Sequence, residues 1–163
     1  MQLSIPEMPT WSGLHPLVVH FPIALLLVAP LFALIGLVAG EKGRCFGVSA
    51  FVLMLLGVAG AWVSVATGHA GADIAFVEGE AEKVLDQHES LAHFCRASFT
   101  ALAVVYAVII ALPIILKKRM PAWLNIVLQV AFLVAYGVAM LALVNVGHLG
   151  GWLVHELDVR AMM

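Results

Sequence analysis

Seven histidines carry most of the chemistry this chain offers, at positions 15, 20, 69, 88, 93, 148 and 155. Their spacing repeats. HPLVVHF (His15 to Phe21) and HESLAHF (His88 to Phe94) share the pattern H-x4-H-F, while VATGHAG (Val65 to Gly71) and VNVGHLG (Val144 to Gly150) share V-x-x-G-H-x-G. Neutral imidazole is the commonest nitrogen ligand for metals and an axial ligand of haem iron. One histidine from each motif copy, His20, His69, His93 and His148, therefore forms the leading candidate set for haem iron. The flanking Gly68, Gly71, Gly147 and Gly150 leave room for a flat macrocycle. His15 and His88 are weaker candidates, because a five-residue step puts them on other helix faces than His20 and His93. His155, outside both motifs, is weaker too. Arg96, one turn past His93, is a candidate partner for a haem propionate, since a guanidinium fork matches a carboxylate. Its plainer role is an ion pair with Glu89 or another nearby acid.

Other chemistries fit less well. Histidines mixed with Asp73, Glu78, Glu89 and Glu156 suit a zinc, copper or iron site, yet H-x3-H, HExxH and CxxC units are all missing. Covalent c-type haem is excluded, because the chain has no CxxCH. No nucleophilic triad or phosphate loop is present. A proton-relaying transport subunit is a third reading, but Ser49, Ser64, Ser98, Thr100, Asn125, Gln129 and Tyr136 make no continuous polar path. Histidines at helix ends also simply snorkel to an interface or cap a terminus, which is the bland alternative for any one of them.

The elements that must position these residues are set by composition. The chain has 163 residues, 63% of them hydrophobic and 11% charged, with a mean hydropathy of +1.06. Soluble domains are about 45–50% apolar and about 25% charged, so the solvent for most of this chain is lipid. A net charge of −2 points to no nucleic-acid partner. A spanning helix needs about 20 apolar residues, and four stretches qualify, at about 14–39, 46–67, 91–116 and 122–146. Ser12 is the expected N-cap of the first, with Pro16 in its opening turn; Pro22, Pro30 and Pro113 fall inside spans, which membrane helices tolerate. Gly57, Gly60, Gly137, Ala59 and Ala61 favour close helix approach. The N-terminus lacks a basic region and contains Glu7, so the first span is expected to be retained rather than cleaved.

Two short turns, GEKGR (Gly40 to Arg44) and KKRMP (Lys117 to Pro121), hold five of the eight basic residues. The positive-inside rule makes both cytoplasmic. The opposite side carries nine of the ten acidic residues and all seven histidines. Trp11, Trp123 and Trp152 suit interfacial belts. Cys45 and Cys95 fall near opposite faces, too far apart for a disulfide.

The expected fold is an all-α integral membrane four-helix bundle of two tandem parallel hairpins, residues 12–72 and 88–155, joined by an outer connection at 73–87. A pseudo-twofold axis along the membrane normal would gather His20, His69, His93 and His148. One haem on that axis takes His20 with His93 or His69 with His148; two haems take His20 with His148 and His93 with His69. The expected setting is a bacterial cytoplasmic membrane with both termini periplasmic.

The stretch GLHPLVVHFPIALL, with HPxxxHFP at residues 15 to 22, resembles a bacterial predicted-membrane-protein family catalogued as a domain of unknown function. The resemblance implies a four-span module, in some relatives joined to or encoded near c-type cytochromes. The second repeat departs from the signature, with Glu89 for Pro16 and Cys95 for Pro22. The resulting expectation is a cytochrome b-like electron-transfer subunit with one or two b-type haems, embedded in lipid within a larger redox complex. Quinone or a periplasmic c-type cytochrome would exchange its electrons.

Overall fold

The structure, a computed structural model, describes residues 9–116 and 121–159. Glu7 and the basic residues Lys117, Lys118 and Arg119 lie outside the described residues. A 3-10 turn at Ser12–Leu14 leads into α1 (His15–Val18) and α2 (His20–Ala39); a second at Gly40–Gly43 leads into α3 (Arg44–Ala72); α4 (Glu80–Ile115) and α5 (Ala122–His155) follow. Strands are absent among the described residues.

Ser12 does not cap the first helix. The Gly13 N–H instead donates to Thr10 Oγ1 at 3.3 Å, because the turn tightens one step before the helix proper. α2 and α3 then fold back on each other through glycine. Gly40 sits at φ +58°, and a Cβ on Gly43 would stand 2.6 Å from the Gly36 carbonyl oxygen. Further along, Cβ atoms on Gly57 and Gly60 would meet Leu26 at 2.8 Å and Pro22 at 3.2 Å. These missing side chains let two apolar helices touch backbone to side chain. Gly137 has no such role, with nothing within 4 Å of its would-be Cβ.

By length and apolarity three helical stretches are able to cross a membrane: Ser12–Ala72, Glu80–Ile115 and Ala122–His155. The expectation was four. The difference lies in the Gly40–Gly43 turn, which is itself helical, so the first two expected spans form one run of 61 residues bent double. The outer connection is also shorter than expected. It occupies only residues 73–79, since α4 begins at Glu80. Gly79, at φ +69°, makes the turn; Glu80 and Glu82 suit the positive end of the helix dipole, and Val84 is buried. Likewise α5 runs on to His155, so both GHxG strings are helical rather than terminal.

The core is small residues against aromatics. Phe99, Tyr106, Phe132 and Tyr136 form a chain of ring contacts with centroids 4.7–5.6 Å apart, packed against Leu26, Ala29 and Ala33 of α2. A polar bond within this core ties the halves together. Pro30 has no N–H to give Leu26, four residues earlier, and the Tyr136 hydroxyl donates to that buried carbonyl at 2.8 Å. Facing outward are Val38, Val134, Val138 and Leu141, each more than half exposed, as lipid contact requires. Cys45 is exposed and Cys95 buried, and both are free.

Candidate functional site

At the histidine-bearing end the helices part. Among the described residues α1 packs on α3 but not on α4 or α5, and a cavity of about 520 Å3 fills the gap. His15, His20, His69, His88, His93 and Arg96 line it, with Leu26 and Phe99 at its apolar floor. That volume falls within the roughly 300–1,000 Å3 of small-molecule and cofactor sites.

His15 is built in by a glycine. Its Nδ1 lies 2.8 Å from the Ser64 carbonyl oxygen. A carbonyl only accepts, so Nδ1 carries the proton and Nε2 keeps its lone pair. The ring rests over Gly68, four residues past Ser64, where a Cβ would stand 2.8 Å from Cε1. The Thr67 hydroxyl, fully buried, bonds back to the Ser64 carbonyl at 3.0 Å and closes the other side. His88 repeats the arrangement on the second hairpin. Its Nδ1 donates to the Val146 carbonyl at 3.1 Å, and its ring rests over Gly150, again four residues on, at 3.1 Å from a would-be Cβ. In both, a half-buried imidazole is fixed in one tautomer with Nε2 left free. These two were the weaker candidates by spacing.

The leading set is distributed differently. His20, His69 and His93 line the cavity, with exposed side chains. His20 Nδ1 donates to its own helix at Pro16 O, 2.9 Å away. His148 lies outside, 6.2 Å from Trp152 in ring centroids, in a shallow hollow shared with His155 and Glu156. A register difference accounts for this. His15 uses the first glycine of its GHxG string and His88 the second, so the position after Gly150 on the cavity wall is Gly151, not a histidine.

Two electrostatic features border the cavity. His69 Nδ1 meets Glu89 Oε1 at 3.1 Å, and its Nε2 is 4.0 Å from Asp73. It stands beyond the apolar part of α3, and the Glu89 hydrogen bond, with the Asp73 charge, holds its pKa above the ordinary value. The first turns of α4, from Glu80 to Glu89, are charge-rich and lie outside the apolar span as well. Arg96 stacks on Trp62 with 4.2 Å between its Cζ and the ring centroid. It makes no ion pair with Glu89, which His69 engages, nor with any other acid among the described residues. Its Nε is buried without a hydrogen-bond partner.

Trp62 escaped the sequence reading, since only the fold sets it beside Arg96. Three or more His, Cys, Asp or Glu side chains arranged to hold a metal ion do not occur among the described residues.

Comparison with curated proteins gives no match, and comparison with solved structures gives none. A family model does match, over residues 12–162, and on that match the chain belongs to the predicted membrane protein family DUF2231.

Proposed function

We propose that this protein is a small membrane cytochrome b-like subunit, holding one b-type haem between His15 and His88 and passing electrons near the outer membrane face. The observation that carries the reading is the repeated His–carbonyl–glycine arrangement. Histidines that ligate metals almost always give their other ring N–H to a carbonyl or carboxylate, which fixes the tautomer and raises the ligand's basicity. His15 and His88 both do this, one from each hairpin, and both line one cavity.

The residues suit a haem in other respects. The lining between the imidazoles is apolar, the glycines under the rings admit no side chain, and the floor at Phe99 and Leu26 keeps water from the lower half. A single cavity spanning both hairpins favours one haem over two. Haem supplies one-electron exchange when bound. The chain's own part is to fix two nitrogen ligands, exclude water below, and border the mouth with His20, His69, His93 and Glu89. Zinc, copper or iron without porphyrin is the lesser reading, because no third ligand of the usual kinds joins the two imidazoles among the described residues. His148 and His155 take no part in this site.

The same reading makes the first helical run two crossings, giving four in all, with tandem hairpins at 12–72 and 88–155. Both termini then face the periplasm of a bacterial inner membrane, and quinol or a periplasmic cytochrome exchanges electrons as part of a larger complex.

The test is a pyridine haemochrome count and a reduced-minus-oxidised visible spectrum of the purified protein. About one haem per chain is expected, lost in His15→Ala and in His88→Ala but retained in His148→Ala. A featureless spectrum after expression with haem supplied overturns the proposal; an unchanged spectrum in both single variants overturns the ligand assignment.

A further inference from the structure

A charge at membrane depth needs a partner, and Arg96 has none of the usual sort. It stands two turns below His88 on α4, inside the apolar part of the helix. One guanidinium face is covered by Trp62 at 4.2 Å. The Trp62 indole N–H donates to Thr100 Oγ1 at 3.2 Å, and the Thr100 hydroxyl donates to the Arg96 carbonyl at 2.7 Å. These contacts hold the side chain against the cavity wall while Nε remains sealed from solvent and unpartnered. Glu89, the closest acid along α4, is held by His69 at 3.1 Å. An indole face attracts a cation but offers no acceptor for the N–H fork. A carboxylate or phosphate does, and the fit is bidentate. Leaving Nε buried and unmet is costly; the terminal guanidinium nitrogens are not sealed, and it is these that an acid brought in by a ligand would meet.

We propose that Arg96 receives the acid group of whatever fills the cavity, so that the site selects an amphiphile with an apolar body and a carboxylate or phosphate. A bare metal ion and a neutral quinone ring are then poor occupants. The inference rests on the haem reading only for the identity of the body: the acid belongs to the porphyrin if haem is the occupant, and to a lipid headgroup if it is not.

Iron protoporphyrin IX and its dimethyl ester, in which both acids are capped, separate the possibilities when titrated optically into the detergent-solubilised protein. A hydrogen bond to a charged group contributes about 1.5–3 kcal/mol, so the wild type should prefer the free acid by about ten- to a hundredfold. Arg96→Gln should bind acid and ester alike, and Arg96→Lys should keep part of the preference. No preference in the wild type, a comparison that involves no mutation, overturns the proposal, as does a full preference surviving in Arg96→Gln. If neither porphyrin binds the wild type, the haem reading fails by itself. Native mass spectrometry of protein extracted from phosphatidylglycerol vesicles then decides for Arg96. A retained lipid that is lost in Arg96→Gln sustains the acid-group site, and equal lipid in both overturns it.

Discussion

Gly68→Ala tests the site at its narrowest point. The new methyl would stand 2.8 Å from His15 Cε1 and 2.9 Å from Nδ1, with no backbone from another helix in the way. The imidazole is the movable party, so it swings off the Ser64 carbonyl rather than forcing α1 and α3 apart. Losing a part-buried hydrogen bond and leaving a ring nitrogen unmet costs about 1–3 kcal/mol. Against this, alanine in a helix interior gains about 0.5–1 kcal/mol over glycine. A net loss of about 0–2.5 kcal/mol follows, small beside the effect on the site, where a ligand nitrogen loses its fixed direction. Gly150→Ala, at 3.1 Å from His88, should follow the same course more mildly. Gly137→Ala meets nothing within 4 Å and should show the alanine gain alone. Unfolding in mixed detergent micelles by SDS titration measures the stabilities, and the haemochrome count measures the site. If Gly68→Ala and Gly137→Ala shift stability equally and bind equally, the glycine-seated imidazole is not what shapes this cavity.

Two more perturbations test the frame and the mouth. Tyr136→Phe should cost about 1–3 kcal/mol by orphaning the buried Leu26 carbonyl; adding Pro30→Ala restores an N–H to that carbonyl, so the double variant should be more stable than Tyr136→Phe in the same SDS titration, and a purely additive loss would refute the link. The His69–Glu89 contact raises the folded pKa of His69. Its hold on α3 and α4 is therefore full below the unfolded value near 6.5 and fades as pH climbs through the raised folded value. Hydrogen exchange at residues 69–73 should speed up beyond the intrinsic rate as pH rises above 6.5 and through the raised folded value, and Glu89→Gln should flatten that difference. A pH-independent protection would show that the contact does not hold the mouth.

Much of the helical frame is legible in the chain because lipid imposes a coarse rule: long apolar runs, glycine where helices touch, basic residues in the turns. The ends of the helices are not. Residues 80–87 read as a connection by their charge, yet Gly79 turns the chain and Val84 buries a side chain, and those two events extend α4. The histidines divide along the same line. Their gathering at one end follows from where the spans lie. Which of them point inward depends on helix rotation and register, and a five-residue interval says only that His15 and His20 differ. The motif alignment paired Gly68 with Gly147, while ring seating pairs Gly68 with Gly150. A shift of one turn preserves every apolar match and so leaves no trace in composition. Arg96 was visible as an isolated charge, but its covering by Trp62 joins residues 34 apart through packing alone.

The Gly40–Gly43 turn bears on how the chain enters a bilayer. Four residues in a 3-10 coil leave no hydrated loop that a translocation channel would have to pass separately. Glycine contacts from Gly36–Gly47 to Gly60–Pro22 zip the two legs together along their length. On the proposed topology, in which this run crosses twice, such a pair can partition sideways into lipid as one wedge, its backbone bonded internally and its tip, with Lys42 and Arg44, staying behind at the starting surface. Insertion of the first 61 helical residues then becomes a single event, and the orientation of its two legs is decided once, at the tip.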